Sequence, residues 1–407
     1  VIRQPYAFLV RKGQFPGRWA MKTVLWLYDR LAGIRDHHWV GADKIAQRLP
    51  GIDKEGLQGA MVYNDALTDD SRLVLRVLHE AVADGAEVVN YMQVQSVEQG
   101  NDGYCDVSVT DVADLDVMEW DTQSLRARKV INATGAWCDE LSQSEARIRP
   151  QRGSHIAVSH SKLPIDDCMT VLHPDDQRPL FIYPWQGITM IGTTDLDHEV
   201  SLSAEPFCEQ PEIDYILKAV HQQFPQAAIA ESDIISTHAG VRPIVASGKG
   251  LDPSKESREH SVWQSGPVVT VSGGKLTTFR LIALDAIKAA GIIDDNEWQA
   301  RRDSDERYIQ SLLPSPPGLG HPTAPPPAGD ALLAAIDWVL SQEQVQHLDD
   351  LLLRRLRLGI VNPDVVATIT ADLKAMCQRR LAWDDERFEE EYERYQQIIE
   401  CYYSLPQ

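Results

Sequence analysis

The residues best placed to do chemistry lie in Ser272-Gly273-Gly274-Lys275-Leu276-Thr277-Thr278-Phe279-Arg280. The stretch follows the apolar run Val268-Val269-Thr270-Val271 and leads into an apolar-periodic segment, Leu281 to Ala290. That pattern predicts a strand, a turn and a helix. Two glycines at a strand end let the backbone approach a ligand closely. The helix start adds unpaired N–H groups and the positive end of its dipole, and Lys275 adds a cation. Such a turn suits a ligand that is anionic or rich in carbonyl oxygens. It would serve equally as a tight turn with no ligand. Arg242, in His238-Ala239-Gly240-Val241-Arg242-Pro243, is the second candidate. Pro243 disfavours helix at Arg242 and predicts an extended segment. A guanidinium there would pair with a phosphate or substrate oxygen, or form a structural ion pair. His155 is the third. A lone histidine is either structural or, with an ordinary pKa of about 6.5, a general base at neutral pH.

The 407 residues allow two or three domains with a substantial core. The net charge of −21 argues against nucleic acid as a partner, because binding phosphates needs a basic surface. The six cysteines show no Cys-x-x-Cys and no metal-like spacing, the usage expected in a reducing compartment. No run approaches the roughly 18 apolar residues of a membrane-spanning helix, and no signal peptide is visible.

Elements must hold these candidates in place. Trp19 to Leu31 reads as an amphipathic helix with apolar residues Trp19, Val24, Leu25, Leu27, Tyr28 and Leu31. It would either pack into the core or, helped by Arg3, Arg11, Lys12, Arg18 and Lys22, lie in a membrane surface. Asp69-Asp70-Ser71 would cap a helix over Arg72 to Ala83. A short strand, Ala86 to Asn90, should follow. After it come a β-meander (Gln93 to Glu98, Tyr104 to Thr110, and a polar stretch to Arg128) and a buried strand, Lys129 to Gly135. Strands are expected at Gly153 to Val158, Leu180 to Tyr183 and Thr189 to Gly192, and a helix at 211–224. Residues 313–329 are rich in proline and glycine, the composition of a linker. Residues 330–407 read as helical.

Six segments together resemble the FAD-dependent (aerobic, respiratory) glycerol-3-phosphate dehydrogenases of the D-amino-acid-oxidase-like superfamily. They are Val130-Ile131-Asn132-Ala133-Thr134-Gly135-Ala136-Trp137, Arg152-Gly153-Ser154-His155-Ile156, Phe181-Ile182-Tyr183-Pro184-Trp185, Ile191-Gly192-Thr193-Thr194-Asp195, Gly240-Val241-Arg242-Pro243 and Gly273 to Arg280. Asp350 to Gly359 is similar to that family's helical cap. The resemblance implies an α/β fold: a Rossmann-like FAD domain (65–145 and 260–300), a mixed-sheet substrate domain (146–259, with 1–64 connecting to it), a linker (301–329) and a C-terminal α-helical cap (330–407). It implies oxidation of sn-glycerol 3-phosphate to dihydroxyacetone phosphate, with electrons passed to quinone, or to oxygen in a glycerophosphate oxidase.

Residue by residue, the resemblance implies His155, Arg242 and Lys275 as the catalytic set, with Arg242 and Arg258 on the substrate. Val94, Ala133, Thr134, Gly135, Gly273, Gly274, Lys275, Leu276 and Thr277 would contact FAD. Asp195 would orient a neighbour. Other implied partners are a peripheral membrane surface and a second copy of the chain, in the cytoplasm or on the inner face of the cytoplasmic membrane. One departure stands out. The family's opening strand, Gly-x-Gly-x-x-Gly and helix are not in this sequence, so the first βαβ is missing from the pattern. A catalytically incomplete piece with weak or no FAD retention is therefore the alternative expectation.

Overall fold

A computed structural model describes residues 2–113, 122–141, 147–246, 259–304 and 315–406. In chain order, β1 (Ile2–Arg11), α1 (Arg18–Ala32), β2 (His38–Gly41), α2 (Ala42–Arg48) and β3 (Leu57–Leu67) come first. Next are α3 (Asp70–Ala83), the meander β4 (Met92–Gln99), β5 (Cys105–Asp111) and β6 (Thr122–Ala127), then β7 (Val130–Asn132) and the short α4 (Cys138–Leu141). The strands β8 (Ile148–Ser159), β9 (Cys168–Leu172), β10 (Pro179–Trp185), β11 (Ile188–Gly192) and β12 (Leu196–Asp197) follow, with α5 (Gln210–Gln223) and β13 (Ile234–Val245). The hairpin β14 (His260–Ser265) and β15 (Val268–Gly273) leads to α6 (Phe279–Ala289) and α7 (Asp295–Asp303). The C-terminal region holds α8 (Asp330–Gln342), a π-helical turn (Asp350–Arg355), α9 (Leu358–Val361), α10 (Pro363–Thr368), α11 (Thr370–Leu381) and α12 (Asp385–Ile398).

The α/β expectation is met by three sheets. A nine-stranded mixed sheet runs β12, β8, β11, β10, β9, β1, β3, β2, with β13 also paired to β8. All its pairs are antiparallel except β1 with β9. The two-residue period of its strands divides the sheet between two cores. Ile156 and Val158 of β8, Leu180 and Ile182 of β10 and Ile191 of β11 pack under Ile213, Ile216 and Val220 of α5. On the opposite face, Ala157, Trp185, Ile188 and Met190 join the core of the C-terminal helices. The second sheet is β14-β15-β7, with β7 parallel to β15. The third is the meander.

Asp69 caps α3 as expected, its carboxylate accepting from the Arg72 N–H at 3.0 Å. Three expectations need correction. Ala86–Asn90 is not a strand. It is tied down by single hydrogen bonds, Asn90 Nδ2 to the Gln344 carbonyl and Gln344 Nε2 to the Val88 carbonyl. The helix at 19–31 is not a core helix. Leu25 and Asp29 are its buried residues, while Trp19 is 70 % and Leu31 82 % exposed. The stretch from 301 is not all linker. α7 continues to Asp303, and the proline-rich strand of chain over 315–326 lies against the sheet. There the Gln186 N–H donates to the Pro322 carbonyl at 2.8 Å.

Candidate active site

The site forms where the nine-stranded sheet faces the C-terminal helices. His155 of β8 stands in register with His238 of β13, and on its other side with Gly192 of β11. Gly192 makes room for it. A Cβ there would lie 2.6 Å from the His155 Cγ and 2.9 Å from its Nε2. Two residues back on β8, Gly153 does the same for Arg242, whose Cζ would be 2.6 Å from an added Cβ. So two glycines, placed by the strand period, let a histidine and an arginine lie flat on one face.

Arg242 lies on an extended strand, as Pro243 predicts. Its Nη2 donates to Thr193 Oγ1 at 2.9 Å and its Nη1 meets Asp195 Oδ1 at 3.3 Å. Asp195 thus orients Arg242. The turn that carries these partners is itself held. Thr194 Oγ1 accepts from the Ser154 N–H at 2.9 Å and donates to Glu212 at 2.6 Å. Glu212 pairs with buried Arg152.

Two adjoining cavities open on this face. One cavity, about 480 Å³, is walled by Tyr6, His155, Phe181, Tyr183, Met190 and His238. The second, a cleft of about 1010 Å³, includes His238, Arg242, Gly273, Gly274, Lys275 and Glu205 in its lining. Asp70, His238, Leu276 and Arg357 border both. The strand–turn–helix expected around Gly273 is present, with a 3-10 turn (Leu276–Thr278) before α6. Gly273 and Gly274 have φ of +79° and +89°. Lys275 is exposed at the cleft and makes no ion pair among the described residues. Thr277 is exposed on the 3-10 turn.

Ala133, Thr134 and Gly135 leave the end of β7 beside this turn, and Ser272 Oγ donates to the Gly135 carbonyl at 3.3 Å. Both glycine turns therefore lie side by side at the carboxyl ends of parallel strands, the usual ligand position in open α/β sheets. Val94 lies elsewhere. It packs against the small core of Val97, Cys105, Val107, Val109 and Val268 and lines neither cavity. Arg258 lies outside the described residues.

The site also holds groups that the motif reading passes over. His238 shares a face with Arg242 at strand spacing, a signal available in the sequence. Arg357 carries no such signal. It arrives from the C-terminal helices to pair with Asp70 Oδ1 at 2.6 Å and Asp69 Oδ1 at 3.3 Å, above the Trp185 ring.

The expected ordinary pKa of His155 is corrected. Burial, then His238 and Arg242, hold its pKa down to about 3. Burial and Arg357 hold His238 down to about 4. Both rings are neutral at pH 7, and each has an Nδ1 buried without a hydrogen-bond partner. In the unfolded chain both bind protons below about pH 6.5. The stability this pair contributes is therefore complete above about pH 6.5 and lost as pH falls toward 4 and then 3. Thermal melts across pH 7 to 4 are expected to fall steeply for the wild type and less steeply for His155→Gln.

The sheet face with its two imidazoles and oriented arginine thus opens onto two glycine turns at parallel strand ends. The chain belongs to the FAD dependent oxidoreductase family, whose model matches residues 9–278. It is 31% identical over 287 residues to the aerobic glycerol-3-phosphate dehydrogenase of Staphylococcus epidermidis, and 30% identical to that of Staphylococcus aureus. Each match covers 68% of this chain and 50% of the relative, so the chain spans about half the length of these curated relatives. Among solved structures it is similar to the glycerol-3-phosphate dehydrogenase of Bacillus halodurans complexed with FAD (TM-score 0.70, 22% identity, 96% of this chain and 81% of that one). It is also similar to the L-α-glycerophosphate oxidase of Mycoplasma pneumoniae with FAD bound (TM-score 0.52, 15% identity, 71% and 73%). At these identities the structures show a shared fold.

Proposed function

We propose that this chain forms the substrate face and part of the flavin seat of an FAD-dependent glycerol-3-phosphate dehydrogenase. The observation that carries this is the placement of His155 and Arg242 on one face whose cavities reach Gly273, Gly274 and Lys275. The seat fits a flavin. Side-chain-free backbone at Gly273 and Gly274 allows close approach, and Lys275 at the start of the helical turn favours a ligand that gains negative charge. When bound, FAD supplies the two-electron, hydride-accepting chemistry. Gly273, Gly274, Leu276 and Thr277 would hold its ring end, and Ala133, Thr134 and Gly135 its ribose and pyrophosphate.

The remaining work falls to the chain's own groups. Neutral His155 takes the proton from the C2 hydroxyl at Nε2, since its Nδ1 is buried. Arg242, held by Thr193 and Asp195, fixes the substrate oxygens. Arg258 would hold the phosphate. The test is direct: purified protein should show a flavin spectrum that bleaches with glycerol 3-phosphate and drives dye reduction. Absence of both sinks the reading. Electrons pass to a membrane quinone, and stoichiometric peroxide under air would assign oxygen instead.

None of the described helices is long and apolar enough to cross a membrane. Contact with a lipid surface would use α1, whose exposed Trp19 and Trp26 lie beneath Arg18, Lys22 and Arg30. Trp19→Glu with Trp26→Glu is expected to weaken partitioning onto anionic vesicles by about tenfold or more. Unchanged partitioning in a flotation assay removes α1 from this role.

A further inference from the structure

Resting on this reading of the site, we propose that Tyr183 is a specificity-determining residue that recognises the C1 hydroxyl of glycerol 3-phosphate. It lines the 480 Å³ cavity together with His155. The side chain is partly buried, and its hydroxyl makes no hydrogen bond among the described residues. Its neighbours on β10 and β11, Phe181, Trp185 and Met190, are apolar and offer it no partner. A polar group that faces a cavity without a protein partner is satisfied by what enters the cavity.

The strand register says which part of the substrate it meets. Residues on one face of a strand are two positions apart. Arg242 lies across Gly153, and His155 is two residues further along β8. Ala157, two further again, pairs with Met190 of β11, which pairs with Tyr183 of β10. Arg242, His155 and Tyr183 therefore lie along one diagonal of the sheet, with the histidine between the other two. From β8 to β10 is about 10 Å between backbones, and side-chain-free Gly192 lies in that gap beside His155. The substrate carries its oxygens in the matching order: phosphate, C2 hydroxyl, C1 hydroxyl. With the C2 hydroxyl at His155 Nε2 and the phosphate on the Arg242 side, the C1 hydroxyl points toward Tyr183. Three separate contacts also fix the handedness at C2, because the mirror image cannot meet all three with its C2 hydrogen facing the same way.

The other polar groups on this wall are committed or remote. Tyr6 is on β1 and Asp65 on β3, two and three strands beyond β10. Tyr6 also stacks on Tyr63 at 5.9 Å and has Cys168 beside its hydroxyl. Asp70 is held by Arg357 and the Ser71 N–H. The Thr68 hydroxyl has no solvent-facing surface. Burial, with Asp70 and Cys168, holds the Tyr183 pKa above its ordinary value. The phenol therefore keeps its proton and donates to the C1 oxygen at any working pH.

The test compares wild-type holoenzyme with Tyr183→Phe, which keeps the ring, on two substrates. One is glycerol 3-phosphate. The other is propane-1,2-diol 1-phosphate, which keeps the phosphate and the C2 hydroxyl and lacks the hydroxyl at C1. Flavin bleaching after rapid mixing gives a rate and a half-saturation for each. Wild type is expected to favour glycerol 3-phosphate by about 10-fold or more in the ratio of the two. In Tyr183→Phe that ratio should fall about 10-fold for glycerol 3-phosphate and stay within about twofold for the deoxy substrate, so the preference disappears. Tyr183→Leu provides the same comparison if the phenylalanine variant does not fold. A wild type that does not distinguish the substrates, a preference that survives the substitution, or an equal loss on both overturns the role of Tyr183 while leaving the proposed reaction standing. Wild-type protein whose flavin neither substrate bleaches overturns both.

Discussion

Replacing Gly192 by alanine is expected to lower turnover by about 100-fold while costing about 1–3 kcal/mol of stability. The added methyl would sit 2.6 Å from the Cγ of His155, the branch point of the ring, so the whole imidazole must turn. Gly153→Ala gives the contrasting result. There the methyl meets the guanidinium of Arg242, the far end of a flexible chain, which can swing aside at small cost to the fold. Its expected effect is a raised KM of about 10-fold or more with turnover less affected, because Arg242 then loses its place beside Thr193 and Asp195. Gly41→Ala, at the end of β2 and outside both cavities, is the internal control, since nothing lies within 4 Å of a Cβ there. Steady-state kinetics and thermal melts of the three variants decide the matter. If Gly192→Ala turns over like Gly41→Ala, His155 is not the base.

The second large effect is on cofactor retention. Gly274→Ala would place an L-residue at φ +89°, with its Cβ 2.6 Å from Ile282 Cδ1 and 3.1 Å from the Cβ of His260. Strain of about 1–2 kcal/mol from the left-handed backbone adds to a comparable packing cost, and the turn must shift. Flavin affinity is expected to fall by about 100-fold or more, read from flavin-to-protein ratio and from quenching titrations with FAD. Gly291→Ala, at φ +68° with nothing within 4 Å, carries the backbone strain alone, away from the cleft, and should retain flavin like the wild type. Equal retention in Gly274→Ala would remove the turn from the flavin seat.

The local elements of this site are largely legible in the sequence. Gly273-Gly274 marks a turn because only glycine holds two successive positive φ angles cheaply, and Pro243 announces an extended Arg242. What local pattern cannot show is which elements face each other. Ala86–Asn90 has the composition of a strand but lacks a neighbouring strand among the described residues, and a strand without a ladder does not form. The apolar stripe of α1 signals burial, yet among the described residues only Leu25 of it is covered. His238 was recoverable by counting twos from Arg242 along β13. Arg357 was not, because its partner Asp70 lies 287 residues away along the chain. The low pKa of His155 was equally invisible, being set by burial first and then by His238 and Arg242 across a strand pair.

Trp185, Ile188 and Met190 belong at once to the wall of the site's sheet and to the core of the C-terminal helices. The proline-rich chain over 315–326 clasps the same turn, with Pro325 packed against Gly187. A cut in that chain would sever a connection without freeing the helices, because Ala157, Trp185, Ile188 and Met190 of the sheet are packed into their core. Sheet and helices therefore form a single cooperative unit. Damage far from His155, on the buried side of α8 or α12, would reach the chemistry by loosening the floor on which both histidines rest.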